Sequence, residues 1–176
     1  MSGHSKWSTI KHKKEATDKK RGLVFSKLLN AVAVAARQEP NPQFNPTLRT
    51  AVEKAKENSV PTEKIEAAIK RASSAADNLE ELIMEAYGPE GAAIIIEAIT
   101  DSKNRTVSEV KKILNDYGAK RAEAGSARWA FENINGVWRA KIKQNISPEA
   151  EKKLSELIQE LENRDDIQKI YDNFRN

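Results

Sequence analysis

The sequence predicts an α+β fold. A small N-terminal three-helix domain with a basic arm spans residues 1–76, and a ferredoxin-like ββαββαβ domain follows over 77–176. Three observations carry this reading. Apolar residues recur at three- and four-residue steps up to about position 72, and then fall into short alternating or continuous β-branched runs. Prolines at 40, 42, 46 and 61 mark the joints between helices of the first stretch. Charge divides near the same place: residues 1–76 hold 15 Lys+Arg against 7 Asp+Glu, a net +8, whereas 77–176 hold 15 against 19, a net −4. The overall +4 on 176 residues is the difference between a basic and an acidic half. A basic half joined to an acidic one points to a polyanionic partner for the first.

Residues 1–14, MSGHSKWSTIKHKK, show no sustained period and read as an extended arm. From about Glu15, Leu23, Val24, Leu28, Leu29, Val32 and Ala36 line one face of a helix that ends near Gln38. The prolines of 39–46 stiffen the connection. Asn45-Pro46 combines a capping side chain with a proline at the first helical position, and Leu48, Val52 and Ala55 face inward from there. Ser59-Val60-Pro61-Thr62 breaks this helix, and a third carries Ile65, Ala68, Ile69 and Ala72. The Ser/Ala/Asp/Asn stretch 73–78 reads as the domain boundary.

In the second half, Leu82–Tyr87 predicts a strand and Gly88-Pro89-Glu90-Gly91 a turn. Ala92–Thr100, with Ile94, Ile95, Ile96 and Ile99, predicts a central strand. Thr106–Tyr117 is an amphipathic helix closed by Gly118. Ser126–Glu132 and Val137–Lys143 alternate around a turn at 133–136. Ser147-Pro148 starts a last helix, with Leu154, Leu157, Ile158 and Leu161 inward, and Asp166–Phe174 is the last strand. The final six elements match a βαββαβ unit with one extra strand in front. Helices then cover one sheet face and leave the other open.

Zero cysteines exclude a disulfide scaffold, a zinc ribbon, an iron–sulfur site and a cysteine nucleophile, and they fit a reducing, cytoplasmic setting. No apolar run approaches the roughly 20 residues that span a bilayer. Trp7 and Ile10 offer too little apolar area for an interfacial anchor. The only histidines, His4 and His12, lie in the arm, solvated or beside phosphate, with no triad or metal arrangement around them. No phosphate-binding glycine loop or nucleophile elbow occurs. Asp165-Asp166 reads as a polar lead into a strand rather than a magnesium site. No enzyme activity, cofactor, metal, membrane or small-molecule substrate is expected.

The informative feature is the arm. Lys11-His12-Lys13-Lys14 and Lys19-Lys20-Arg21 form two basic clusters with Trp7 upstream, and Lys6 and Lys27 add charge on either side. Lysines that neutralise phosphates release counterions, and an indole stacks on an accessible base. A solvated tail with Trp7 packed on the helices is the alternative.

These residues also carry a resemblance. Gly3-His4-Ser5-Lys6-Trp7, Ile10-Lys11-His12-Lys13-Lys14, Asp18-Lys19-Lys20-Arg21-Gly22 and Phe25-Ser26-Lys27-Leu28 resemble the start of the YebC family. Asn45-Pro46-x-Leu48-Arg49, Val60-Pro61-x-x-x-Ile65, Tyr87-Gly88-Pro89-x-Gly91, Thr100-Asp101-x-x-Asn104-Arg105-Thr106 and Asp165-Asp166-Ile167-Gln168 extend it along nearly the whole chain. The resemblance implies a gene-expression factor without catalysis. Many members carry the label of a probable transcriptional regulator that binds DNA. Others, including a mitochondrial translational activator, look like ribosome- and RNA-associated factors that help translation through proline runs and other difficult sequences. Members usually insert a third domain between Phe131-Glu132 and the C-terminal helix; only Asn133–Gln144 stands there in this chain, which reads as a shortened form. The expected partner is nucleic acid, either the ribosome and its RNA or promoter DNA, and nothing in the sequence resembles a base-reading recognition helix or a dimer element. A monomer is therefore expected. A protein-interaction role for the acidic domain is the third possibility.

Overall fold

The computed structural model describes residues 4–72, 74 and 78–174, with the backbone alone for 4–15. The chain divides into two compact units, Met1–Ala75 and Ala76–Asn176.

The first unit holds three helices: α1 (His4–Ala36), α2 (Pro46–Glu57) and α3 (Thr62–Ala72). The expected extended arm is absent, because α1 begins at His4 and runs for 33 residues, about 50 Å. No proline or glycine interrupts the chain between His4 and Arg21, and lysine, alanine and glutamate are good helix formers. Amphipathic periodicity reports burial, not helicity, so a solvated helix leaves no such trace. The C-terminal part of α1 does bury a face. Val32, Ala33 and Ala36 are buried, as are Leu48 and Ala55 of α2 and Ile65 and Ala68 of α3, and α1 packs on both of these helices.

Asn45 joins these helices. Its Oδ1 accepts the Leu48 N–H at 2.9 Å, capping α2. Its Nδ2 donates to the Ala35 carbonyl at 2.7 Å and the Glu39 carbonyl at 2.8 Å. One buried side chain thus closes the end of α1 and starts α2.

The second unit contains β1 (Glu80–Tyr87), β2 (Ala93–Thr100), α4 (Lys103–Asp116), β3 (Lys120–Ala122), β4 (Phe131–Ile134), β5 (Val137–Ala140), α5 (Pro148–Glu162) and β6 (Ile167–Asp172). The main sheet is antiparallel, in the order β3-β1-β2-β6. It has the helix-and-sheet layering expected of a ferredoxin-like domain, with a different assignment of strands. The extra leading strand β1 occupies an interior position. It pairs with β2 along its whole length, from Glu80 with Thr100 to Tyr87 with Ala93, because a tight turn makes sequence neighbours into sheet neighbours. The three-residue strand β3 at 120–122 was not foreseen. The 126–132 and 137–143 strands do not enter this sheet. They shorten to β4 and β5, a separate two-stranded hairpin turned by Asn135 and Gly136, both at positive φ (52° and 80°).

Helices α4 and α5 cover one sheet face, where Met84, Ala86, Ile94, Ile96 and Ala98 pack on Val110, Ile113, Leu114, Leu154, Leu157 and Leu161. The other face is not open as expected. Ala93 and Ile95 are buried there beneath Ala127, Ala130 and Phe131, with Tyr87, Trp138 and Tyr171 at the margin. Cover on both faces explains why β2 reads as a continuous β-branched run.

Candidate nucleic-acid interface

A continuous helix changes what the arm's lysines amount to. Lys6, Lys13, Lys20 and Lys27 recur every seven residues. Along α1 that spacing drifts by only about 20° per step and advances about 10.5 Å. Four positions therefore follow one line over about 32 Å of helix. Lys19, Lys20 and Arg21 are exposed and Lys27 is half-buried. The Arg21 guanidinium lies 5.1 Å from the centre of the Phe25 ring, one turn on, which steadies it over an apolar platform. The side chains of Lys6, Trp7, Lys11, His12, Lys13 and Lys14 lie outside the described residues.

The second unit holds a constellation that the sequence reading missed. Glu85, on β1 between Met84 and Ala86, is buried with a residue exposure of 2 %. Its carboxylate accepts the N–H of Gly125 and of Ala127, each at 2.7 Å, and Arg128 Nε at 2.8 Å. Burial by itself pushes the carboxyl up. The two backbone donors and the guanidinium outweigh burial and hold it below the ordinary carboxylate value. These bonds curl residues 125–128 over the sheet, which is why the strand expected from Ser126 starts only at Phe131. Around this anchor, Tyr87 donates its hydroxyl to the Ser126 carbonyl, and Trp129 Nε1 donates to the Tyr87 hydroxyl at 2.9 Å. Trp138 Nε1 donates to Glu97 at 3.0 Å, with the Arg128 guanidinium 5.5 Å from its ring centre. Tyr171, beside Glu97, is pushed up to about 12 by burial and then by the Glu97 charge.

Two acidic motifs have structural partners. Asp166 accepts from Thr106 Oγ1 at 2.6 Å and pairs with Arg105 at 3.1 Å; Arg105 also pairs with Asp101 at 2.7 Å. The Thr100–Thr106 stretch and the Asp165-Asp166 stretch thus tie the end of β2, the start of α4 and the start of β6 into one polar knot. Glu90, held at φ 56° in the β1–β2 turn, accepts the Ser147 N–H at 2.8 Å and its Oγ at 2.6 Å. It therefore supplies a carboxylate to the N-terminus of α5. Those bonds to Ser147 hold it below the usual carboxylate range. Among the described residues no group of three or more His, Asp or Glu is placed to hold a metal, and no helix is long and apolar enough to cross a membrane.

Comparison with known proteins places both units. Residues 5–75 match the TACO1/YebC protein N-terminal domain, and residues 79–137 match the TACO1/YebC second and third domain. This chain belongs to the TACO1/YebC family. A "probable transcriptional regulatory protein" of Chloroherpeton thalassium is 46% identical over 163 residues, covering 91% of this chain and 63% of that relative. One of the same description from Thermoanaerobacter pseudethanolicus is 48% identical over 137 residues, covering 76% of this chain and 56% of its own length. The chain thus spans about three fifths of the length of these curated relatives. The crystal structure of a conserved hypothetical protein from Aquifex aeolicus superposes with a TM-score of 0.83 at 28% identity, over 89% of this chain and 90% of that one.

The family membership agrees with the resemblance carried by the N-terminal motif. Glu85 and Trp129 escaped notice for different reasons. A single acid in an apolar strand carries no period of its own, and its partners lie about 40 residues away. Trp129 read as one more apolar residue of an alternating strand, whereas the 3-10 turn at Arg128–Ala130 leaves it 47% exposed.

Proposed function

We propose that this chain is a non-enzymatic, nucleic-acid-binding gene-expression factor of the TACO1/YebC type that acts on the ribosome or its RNA and eases the translation of difficult, for example proline-rich, sequences. The observation that carries the reading is the basic face of α1. Lys6, Lys13, Lys20 and Lys27 recur along one line of a helix about 50 Å long, with Lys11, His12, Lys14, Lys19 and Arg21 distributed around the rest of its circumference and Trp7 near its start. Lysines along a helix neutralise phosphates, and an indole stacks on an accessible base. Helix α1 carries no Arg, Asn or Gln array at base-reading steps, which favours a structured or single-stranded RNA over a promoter sequence. The second reading, a DNA-binding transcriptional regulator, is favoured by the names of the relatives. The expected setting is cytoplasmic and the expected state monomeric.

The test has two arms. Sedimentation at moderate salt should carry the protein with ribosomes; failure to do so, together with a shift of a defined promoter fragment, would make the transcriptional reading the correct one. Replacing Lys13, Lys14, Lys19 and Lys20 with Glu should weaken binding and flatten its salt dependence. Four phosphate contacts correspond to a log–log slope of roughly −3 to −4 in the parent chain. A slope unchanged in the variant would exclude these lysines.

A further inference from the structure

We propose a second nucleic-acid contact, in the hairpin layer of the second unit: Trp129, flanked by Lys120 and Lys141, receives an unpaired nucleobase with its adjoining phosphates. The inference rests on the nucleic-acid reading of the chain and adds a site to it.

The acidic half of the chain is not uniformly acidic. Residues 119–143 contain Lys120, Arg121, Arg128, Arg139, Lys141 and Lys143 against Glu123 and Glu132, a net +4 inside a half whose total is −4. The chain's three tryptophans are Trp7, Trp129 and Trp138, so each lies in a basic segment. Folding brings distant parts of this segment to one ring. Lys120 pairs across the strands with Tyr87, and the Tyr87 hydroxyl takes the Trp129 indole N–H. The Lys141 and Ile142 N–H groups both donate to the Ala130 carbonyl, at 2.9 and 3.2 Å, which sets Lys141 beside the residue after Trp129. Both lysines are exposed.

The basic residues around the ring are not equivalent. Arg128 is committed to Glu85, and Arg139 stands opposite Glu132 in the hairpin register. Of the other basic residues, Lys120 is opposite Tyr87, which holds the Trp129 indole, and the Lys141 N–H bonds the residue after Trp129, so these two are the ones assigned to phosphates. Trp138 is half-buried and bonded to Glu97, which makes it part of the layer's interior. Trp129 differs: its polar edge is fixed by Tyr87 while the residue stays 47% exposed. A ring already held in one orientation loses little freedom when a base stacks on it. Duplex DNA keeps its bases stacked on one another and offers no partner to such a ring, so the site suits a single strand.

The experiment uses the full chain and a short fluorescently labelled single-stranded RNA, read by anisotropy, with its duplex and an abasic strand as competitors. Trp129→Ala should weaken binding about five-fold or more, as expected for loss of one stacked base, and Trp129→Phe should recover most of it. Lys120→Glu with Lys141→Glu should weaken binding and make the salt slope shallower by about 1.4. The abasic strand should compete poorly. If Trp129→Ala binds like the parent, or the duplex or the abasic strand competes as well as intact RNA, the second site does not exist. Substitution of the four α1 lysines run alongside separates the two ideas. Loss of binding there with none at Trp129 removes this site and leaves the proposed function standing. Full binding there with loss at Trp129 does the reverse for the α1 face.

Discussion

Glu85→Ala removes the acceptor of three donors at once, and the structure indicates which of them matters. Gly125 lies in an exposed loop, where water can replace the carboxylate at little cost. Arg128 has a side chain 45% exposed, so its ion pair contributes at most the ~0–1 kcal/mol of a surface pair. Ala127 is fully buried, and its N–H loses a 2.7 Å bond with no replacement nearby, which costs about 1–3 kcal/mol. Together these give a loss of about 1–4 kcal/mol. Glu85→Gln keeps one acceptor oxygen and the same shape, so it should lose about 1–2 kcal/mol. The assay is urea unfolding followed by tryptophan fluorescence in a Trp7→Phe background, where the signal comes from Trp129 and Trp138 in the layer that Glu85 holds down. The pH dependence gives a second readout. The folded carboxyl is held below its unfolded value, so its contribution is full above about pH 4.3 and is lost as pH falls through the folded value. The gap between parent and Glu85→Gln should close over that acid range. A change under about 0.5 kcal/mol for Glu85→Ala, the scatter of an ordinary surface substitution, would refute the idea that this carboxylate anchors the layer.

Further outcomes follow from other bonds. Asn45→Ala should destabilise the helical unit by about 1–3 kcal/mol, because it removes a helix cap and leaves the Ala35 and Glu39 carbonyls without a donor; thermal melting by circular dichroism of the chain and of Asn45→Asp, which keeps only the cap, separates the two contributions. Tyr171 should titrate near 12 in an ultraviolet titration. Because its folded value is raised, its contribution is full below about pH 10 and is lost as pH rises through the folded value, so Tyr171→Phe should make alkaline unfolding less steep. Thr106→Val should loosen the polar knot by about 1–2 kcal/mol, since its hydroxyl bonds both Thr100 and Asp166; equal stability of the variant in urea would count against the knot.

Much of the fold was legible in the sequence because its signals are local. Asn45-Pro46 and Ser147-Pro148 announce helix starts through their own capping chemistry, and both helices begin there. Ile94–Ile96 announce a central strand, although the cover on its second face was not read from them. The charge imbalance needs only counting, and the N-terminal motif is contiguous, so the family too could be read without a structure. Other features depended on partners far along the chain. The length of α1 was missed because its N-terminal residues show no apolar period in the sequence, and periodicity reports burial rather than helicity. The interior place of β1 follows from pairing with β2, and the retreat of residues 126–130 from the sheet follows from Glu85, some 40 residues earlier. The same long-range folding ties the Trp129 indole to Tyr87, 42 residues earlier. What the sequence by itself determined was therefore the set of helices, the central strand, the charge of each half and the family. Only the tertiary structure decided which strands share a sheet and which basic residues meet an aromatic, since hydrogen bonds and charges are satisfied by neighbours in space, and those neighbours are fixed only when the chain closes on itself.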